Sequence, residues 1–587
     1  MSVAMQRALT QLSNQEFDVL VIGGGAAGAA VAREACIRGF STALVERDDF
    51  GAGTSAHCFK IVHGGIRYLQ HADVARMRAS CRERAILLRI APHLVAPLPF
   101  VVPTFGRGKG SRWFLGAGMG VYDLLTRDFN SLIADPSRRI HGTRFLSRSE
   151  TRQLFPEIES AGLTGAAVFE DGQMYNPPRL VLGFVAAAAA LGASVANHVE
   201  VERLLLSDRR VVGAAVCDRL TGERFDIRAR LVINAAGPWA ESLLQPLPAT
   251  QVAPGTYSRD ACLVVARKPT ARMALALQGR TRDSDALLAR NARHMFLVPW
   301  RAHTLVGVWH AVVERDPDKV HMSRAELRAF IDEINQCHPA LALAESEVSM
   351  TGFGLVPFGD AARQGREALS FGKQSRLIDH ERAGAVAGLL SLISVRYTVA
   401  RRDAVAALDA AARQLGKRRA GTESAHQALP GGEVGDFPAL LADLNRRWPR
   451  WLPPSACEGL ARNYGARAQA VLALGERESR LQHCLPGSCV SHAEVVYALR
   501  EEMAQRMADV VFRRTELGTA GHPGTAALDQ LQQLMRAECA WSERRVAEER
   551  AAVDAHLQRY LAERPPPPGR SDEFDAVSRN GLTCHAS

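Results

Sequence analysis

Two rhythms of apolar residues divide this chain. Residues 17–51 open with an apolar run at 19–22 and continue with small residues at helical spacing over 26–38. They break at Gly39 and return to an apolar run at 42–45. That order predicts strand, turn, helix, strand. Residues 166–230 read as strand, helix and further strands, and 231–239 form an apolar strand that stops at Gly237-Pro238. Between about 255 and 355 the runs 261–266, 295–299 and 304–308 predict strands of an antiparallel sheet. A last strand over 388–393 leads into a helix from about 399 to 415. The longest apolar candidate, around 186–192, is shorter than the ~18 residues that span a bilayer and reads as a buried helix.

The rhythm changes at 416–433, where charged and small residues and then Pro430-Gly431-Gly432 mark a linker. From 434 to 561 the chain is rich in Ala, Leu, Arg and Glu at helical spacing, which predicts a helical C-terminal domain. Residues 1–16 are polar and read as a mobile leader. Residues 564–587 open with Arg564 and four consecutive prolines and read as a disordered tail.

Composition narrows the class. A chain of 587 residues, 47% hydrophobic and 23% charged, is globular and buries a sizeable core, which excludes disordered and collagen-like classes. The formal net charge of +10 favours anionic partners such as phosphate esters, nucleotides or acidic lipid headgroups, with no nucleic acid expected. Eleven scattered cysteines without a Cys-x-x-Cys pair point to a reducing compartment and to no structural metal.

The chemistry begins at Gly23-x-Gly25-x-x-Gly28, set between the first strand and the first helix. Gly23 permits a tight turn, Gly25 lets a pyrophosphate approach the backbone, and Gly28 lets helix and strand pack closely. The helix start offers unpaired N–H groups to an anion. Glu46 ends the second strand, where a carboxylate accepts hydrogen bonds from both ribose hydroxyls and disfavours a 2′-phosphate. This is a dinucleotide site, and the motif alone does not separate FAD from NAD. The next stretch does not run straight into another βαβ unit. It carries Thr54, Ser55, Lys60 and His63-Gly64-Gly65, whose hydroxyls and amides can wrap a diphosphate and a flavin ring.

The run from Thr54-Ser55 through Lys60, His63-Gly64-Gly65 and Arg67-Tyr68 resembles the FAD-dependent glycerol-3-phosphate dehydrogenases of the D-amino-acid-oxidase-like superfamily. Residues 84–97, Asp171-Gly172-Gln173 with Arg179-Leu180, and residues 231–239, 296–300 and 390–401 are similar to further elements of that family. So are Leu429-Pro430-Gly431-Gly432, Tyr464-Gly465 and Arg513-Arg514-Thr515, so the resemblance spans about 17–561. It implies an α/β fold: a Rossmann-like FAD-binding domain over 17–430 interleaved with an antiparallel substrate sheet, then an all-helical domain over 434–561. It also implies FAD as cofactor and hydride transfer from the carbinol carbon of glycerol 3-phosphate to flavin N5, giving dihydroxyacetone phosphate. Quinone or oxygen is the implied electron acceptor. The implied location is cytoplasmic, peripheral on the inner face of the cell membrane. By position the resemblance assigns Gly23, Gly25, Gly28, Glu46, Thr54, Ser55, Lys60, His63, Gly64 and Gly65 to FAD. Ala235, Gly237 and Trp239 are assigned to its second wall, and the backbone of Val201 to its adenine.

For the substrate, the resemblance implies Arg67, Tyr68, Arg396 and Thr398, with Arg396 standing where the family has a lysine. Arg67 and Arg396 are expected to converge as the main anion-binding pair. Three departures alter the pocket. Gly354 stands where the family has an arginine on the substrate phosphate, Cys262 where it has a histidine, and Gly307-Val308-Trp309-His310 replaces its Gly-Thr-Thr-Asp turn. One lost charge-assisted hydrogen bond is worth about 1.5–3 kcal/mol. His310 is thereby a candidate catalytic group beside Arg67 and Arg396. Two alternatives stay open: a divergent oxidase or dehydrogenase acting on an amine or an unphosphorylated hydroxy compound, and a flavin-binding interaction protein without turnover. Arg513-Arg514 reads as a solvated helix face.

Overall fold

The computed structural model describes residues 4–69, 72–106, 112–159, 161–244, 247, 256–279, 294–313, 317–318, 320–358, 375–417 and 421–561. The tail expected over 564–587 lies outside them. One sheet is built on the parallel strands Leu389–Ile393, Arg224–Asn234, Glu16–Ile22, Thr42–Val45 and Ser194–Ala196, side by side in that order. Val19, Leu20 and Val21 are fully buried, which is why the central strand reads as an unbroken apolar run. The helix Ala26–Ile37 lies against this sheet and is flanked by the helices Pro177–Ala190 and Ala400–Gln414. Its small residues let both neighbours approach. Arg210–Asp218 and Val199–Ser207 extend the sheet antiparallel from the strand Arg224–Asn234.

The second sheet runs Val348–Phe358, Thr256–Val265, His303–Val313, His294–Trp300, Ala274–Gln278, Val95–Phe105, Leu163–Met174 and Ile61–Val62. Its pairings are antiparallel except that of Ala274–Gln278 with Val95–Phe105. Two of its long strands, Val95–Phe105 and Leu163–Met174, precede the stretch expected to build it. The C-terminal helices include Phe437–Arg446, Ala456–Tyr464, Ala468–Arg477, His492–Glu501, Thr525–Cys539 and Glu543–Tyr560. They enclose apolar clusters of their own, around Leu460 and Val471 and around Val511 and Leu528.

Two expectations are corrected here. Residues 4–16 are not a mobile leader: Leu9–Asn14 is a short helix, Leu12 is fully buried, and Arg7 pairs with Asp218 at 2.6 Å. Nor is Arg513-Arg514 a solvated face. Both lie in the π-helical turn Val510–Arg514 and are buried, because they carry the charge that joins the two domains. Asp49, three residues past Glu46, accepts from Arg513 Nε at 2.7 Å, from Arg514 Nη1 and Nη2 at 2.5 and 2.8 Å, and from Asn197 Nδ2 at 2.8 Å. Asp509 accepts from Arg513 Nη2 at 2.6 Å and lies 3.0 Å from His198 Nε2. Burial works to raise Asp49, and the two guanidinium groups outweigh it and hold the carboxyl below its ordinary value. Asp49, His198 and Asp509 are grouped closely enough to ligate a cation, but the arginines already supply their counter-charge.

A buried histidine sits at a second point of this junction. His93 is 1% exposed beneath Gly431 and Gly465, and a Cβ at Gly465 would stand 2.9 Å from its ring. Burial, reinforced by Arg179 and Arg138, pushes its pKa from 6.5 down to about 3. A histidine depressed in the fold contributes stability that is fully present above its unfolded pKa of 6.5 and lost as pH falls toward about 3. His93→Gln should therefore flatten the acid arm of the thermal-stability profile below about pH 6.5. An acid arm identical to wild type contradicts this.

Candidate active site

A cavity of about 1020 Å³ runs from the ends of the parallel strands to the face of the second sheet. The glycine turn forms one end. Gly23 has φ +100°, and a Cβ there would meet the carbonyl oxygen of Ala235 at 2.8 Å. A Cβ at Gly28 would stand 1.8 Å from the carbonyl oxygen of Gly23, so Gly28 serves helix–strand packing and does not line the cavity. Gly25 differs: a Cβ there would meet only Ser55 Oγ, at 3.3 Å, and would otherwise project into open space. Ser55 Oγ accepts from the N–H of Ala26 at 3.0 Å at the start of the helix. Thr54 donates to the carbonyl of Leu355 at 3.3 Å.

Glu46 closes this end. Its carboxylate accepts from the N–H of Gly24 at 2.6 Å and from that of Asp48 at 2.9 Å. Burial, with Asp48 beside it, raises its pKa to about 7. Val201, Ala235, Gly237 and Trp239 line the wall. Arg47 stacks on Trp239, with its guanidinium carbon 4.4 Å from the ring centroid, and both side chains bond Asp318 at 3.0 Å.

The His63-Gly64-Gly65 turn is held from behind. Asp171 accepts from the N–H of Gly64 at 2.7 Å and from Arg84 Nη1 at 2.5 Å, and lies 3.4 Å from His63 Nδ1. His63 and Gly65 face the cavity; Gly64 does not, because a Cβ there would run into Arg84 and Tyr122. Lys60 is turned away from the cavity as well. It is buried with Nζ 4.5 Å from the centroid of Trp300.

At the far end Arg396 Nη1 donates to Tyr68 Oη at 2.9 Å and to Ser80 Oγ at 3.0 Å, and Thr398 lines the same wall. Arg67 belongs to the short helix Ile66–Leu69, and its side chain lies outside the described residues, so its convergence with Arg396 does too. His310 lies opposite Asp260 across paired strands, with Nδ1 2.8 Å from Asp260 Oδ1, and Ser258 Oγ donates to the same oxygen at 2.6 Å. Both His310 and Asp260 line the cavity. Cys262 lines it as well, with its thiol pushed up by burial. Gly354 leaves no space for the absent arginine: a Cβ there would stand 2.5 Å from Thr54 Cγ2.

Sequence reasoning missed a third wall. His556, Arg559 and Tyr560 of the helix Glu543–Tyr560 reach the cavity, and Tyr560 stacks on His57 with centroids 3.9 Å apart. The signal was a His-x-x-x-Tyr pair on one helical face of an otherwise charged helix.

Residues 18–384 match the family described as FAD dependent oxidoreductase, and residues 422–546 match the C-terminal domain of alpha-glycerophosphate oxidase. A glycerol-3-phosphate dehydrogenase of Synechocystis is 30% identical over 571 residues, covering 94% of this chain and 97% of its own. The mitochondrial glycerol-3-phosphate dehydrogenase of Mus musculus is 31% identical over 568 residues, covering 92% and 73%. The solved structure of a glycerol-3-phosphate dehydrogenase from Bacillus halodurans complexed with FAD superposes with a TM-score of 0.73 at 23% identity, covering 95% of this chain and 98% of that one.

Proposed function

The chain belongs to the FAD dependent oxidoreductase family and carries the C-terminal domain of alpha-glycerophosphate oxidase, and from that premise we propose that it oxidises glycerol 3-phosphate to dihydroxyacetone phosphate. FAD is its cofactor, and the residues present fit it. The volume that Gly25 gives up opens onto the cavity beside a helix start, and Glu46 stands at the end of the neighbouring strand. When bound, FAD supplies the two-electron acceptor for a hydride from the carbinol carbon.

One observation carries the choice of substrate. The cavity lined by the glycine turn is also lined by Arg396, fixed by Tyr68 and Ser80, so it presents a cation to its occupant. His310, oriented by Asp260, is the group we assign to take the substrate hydroxyl proton, since a carboxylate-held imidazole is a competent general base. Arg67 and Thr398 complete the substrate contacts in this reading. Quinone or oxygen is the final acceptor of the two electrons, and contact with a membrane is peripheral. Among the described residues no helix is long and apolar enough to cross one.

The glycine at 354 favours a second reading, oxidation of an amine or an unphosphorylated alcohol, because it removes one phosphate contact. Anaerobic titration of the purified holoprotein with glycerol 3-phosphate, glycerol and a panel of amines separates the two. Bleaching of the flavin band by glycerol 3-phosphate alone is expected. Bleaching by glycerol or an amine but not by the phosphate ester would establish the second reading.

A further inference from the structure

We propose that Arg76 is the second cation of the substrate's anionic group, acting with Arg396 around Tyr68 in place of the arginine that Gly354 cannot carry. The inference rests on the reading of the substrate as a phosphate ester. Asp73 caps the helix Val74–Ile90 by accepting from the N–H of Arg76 at 3.0 Å, which fixes Arg76 in the first turn. Its guanidinium carbon lies 5.0 Å from the centroid of the Tyr68 ring, and that of Arg396 lies 5.3 Å from the same centroid. Ser80, one turn along from Arg76, accepts from the same Arg396 nitrogen that bonds Tyr68 Oη. One face of this helix and Arg396 thus frame a single tyrosine, and Tyr68, Arg76 and Arg396 all line the cavity.

Arg396 meets no carboxylate at hydrogen-bond distance among the described residues, and the carboxylate paired with Arg76 is partly exposed. Arg76 has Asp73 at 3.6 Å, and that carboxylate side chain is 41% exposed. Arg396 donates to two hydroxyls, its buried Nε has no hydrogen-bond partner, and Asp403 interacts with it only through charge. A phosphate monoester carries about −1.5 to −2 charges and is held by several charged donors in forked geometry. Arg396 alone supplies one such fork. Arg76, which also lines the cavity, supplies another from a different element.

The test uses the FAD-loaded protein and the variants Arg76→Ala, Arg76→Gln and Arg76→Lys, each checked for FAD content and melting temperature. Inorganic phosphate is titrated against the visible spectrum of the bound flavin, and kcat and KM are measured for glycerol 3-phosphate. Arg76→Ala should weaken phosphate half-saturation and raise KM by about 10- to 150-fold, with kcat changed much less, and Arg76→Lys should recover part of the loss. Unchanged phosphate half-saturation and unchanged KM in Arg76→Ala overturn the assignment. If Arg76→Ala fails to load FAD, Arg76→Gln decides by the same two readouts. Phosphate binding that depends on Arg76 in a protein that does not oxidise glycerol 3-phosphate would support the anion site and refute the proposed substrate. Turnover of glycerol 3-phosphate indifferent to every Arg76 change would do the reverse.

Discussion

Replacing Arg514 by alanine should destabilise the protein by about 3–5 kcal/mol and deplete its FAD. The side chain is fully buried and makes two of the hydrogen bonds that neutralise Asp49, which is itself fully buried. Removing one partner of a buried pair leaves an uncompensated charge in low dielectric, and that residual charge sets the cost. The damage should reach the cofactor because the network ends in the cavity wall. Asn197 bonds Asp49, and the next residue, His198, bonds Asp509 and donates its N–H to the carbonyl of Asp48 at 2.7 Å. Asp48 in turn donates its N–H to Glu46. The C-terminal domain is therefore part of the frame that holds Glu46 at the cavity wall, where the proposed function puts the dinucleotide. Arg544→Ala, which removes only an exposed pair with Glu548, should leave both stability and FAD content unchanged. Urea unfolding with FAD quantified on the same samples checks the contrast. Equal behaviour of the two variants would refute it.

The glycine turn gives the second large contrast. Gly28→Val should fail to fold, whereas Gly25→Val should fold and hold no FAD. At Gly28 the first side-chain carbon already falls 1.8 Å from a backbone oxygen of Gly23, and neither helix nor strand can yield without losing the sheet. At Gly25 the same carbon meets only the Ser55 hydroxyl at 3.3 Å, so the protein itself tolerates the change. In the proposed function the lost space is that of the pyrophosphate. Circular dichroism melts and the visible spectrum of the purified variants separate the two effects. A yellow, fully loaded Gly25→Val protein would show that the pyrophosphate lies elsewhere.

The contrast between these glycines also marks what could be read from the chain. Spacing identified the turn, the strand before it and the helix after it, because each rests on local backbone geometry and a buried apolar run. It also assigned Gly28 to helix–strand packing, and what the fold adds is the atom that crowds it, the carbonyl oxygen of Gly23. The polar leader was misread because its few anchors have distant partners: Met5 is buried and bridges to Glu502, and Leu12 is buried in a helix packed on the parallel sheet. Arg513-Arg514 was misread for a related reason: charge at helical spacing looks solvated until its partner, 464 residues away in sequence for Arg513, is placed beside it. Lys60 was expected at the cofactor and lies on Trp300 instead, and no local pattern states which way a side chain turns. Arg76 carried no motif at all. It became a candidate only when the fold put it beside Tyr68 and Arg396.

In the proposed function, this cavity oxidises the carbinol carbon of glycerol 3-phosphate with FAD bound at the glycine turn. Anaerobic single-turnover mixing of the holoprotein with glycerol 3-phosphate, protonated or deuterated at that carbon, tests it most directly. Bleaching of the flavin band at a rate that saturates with substrate and slows on deuteration is the predicted result. A band that stays unbleached at millimolar substrate, in protein that carries a full complement of FAD, would contradict it.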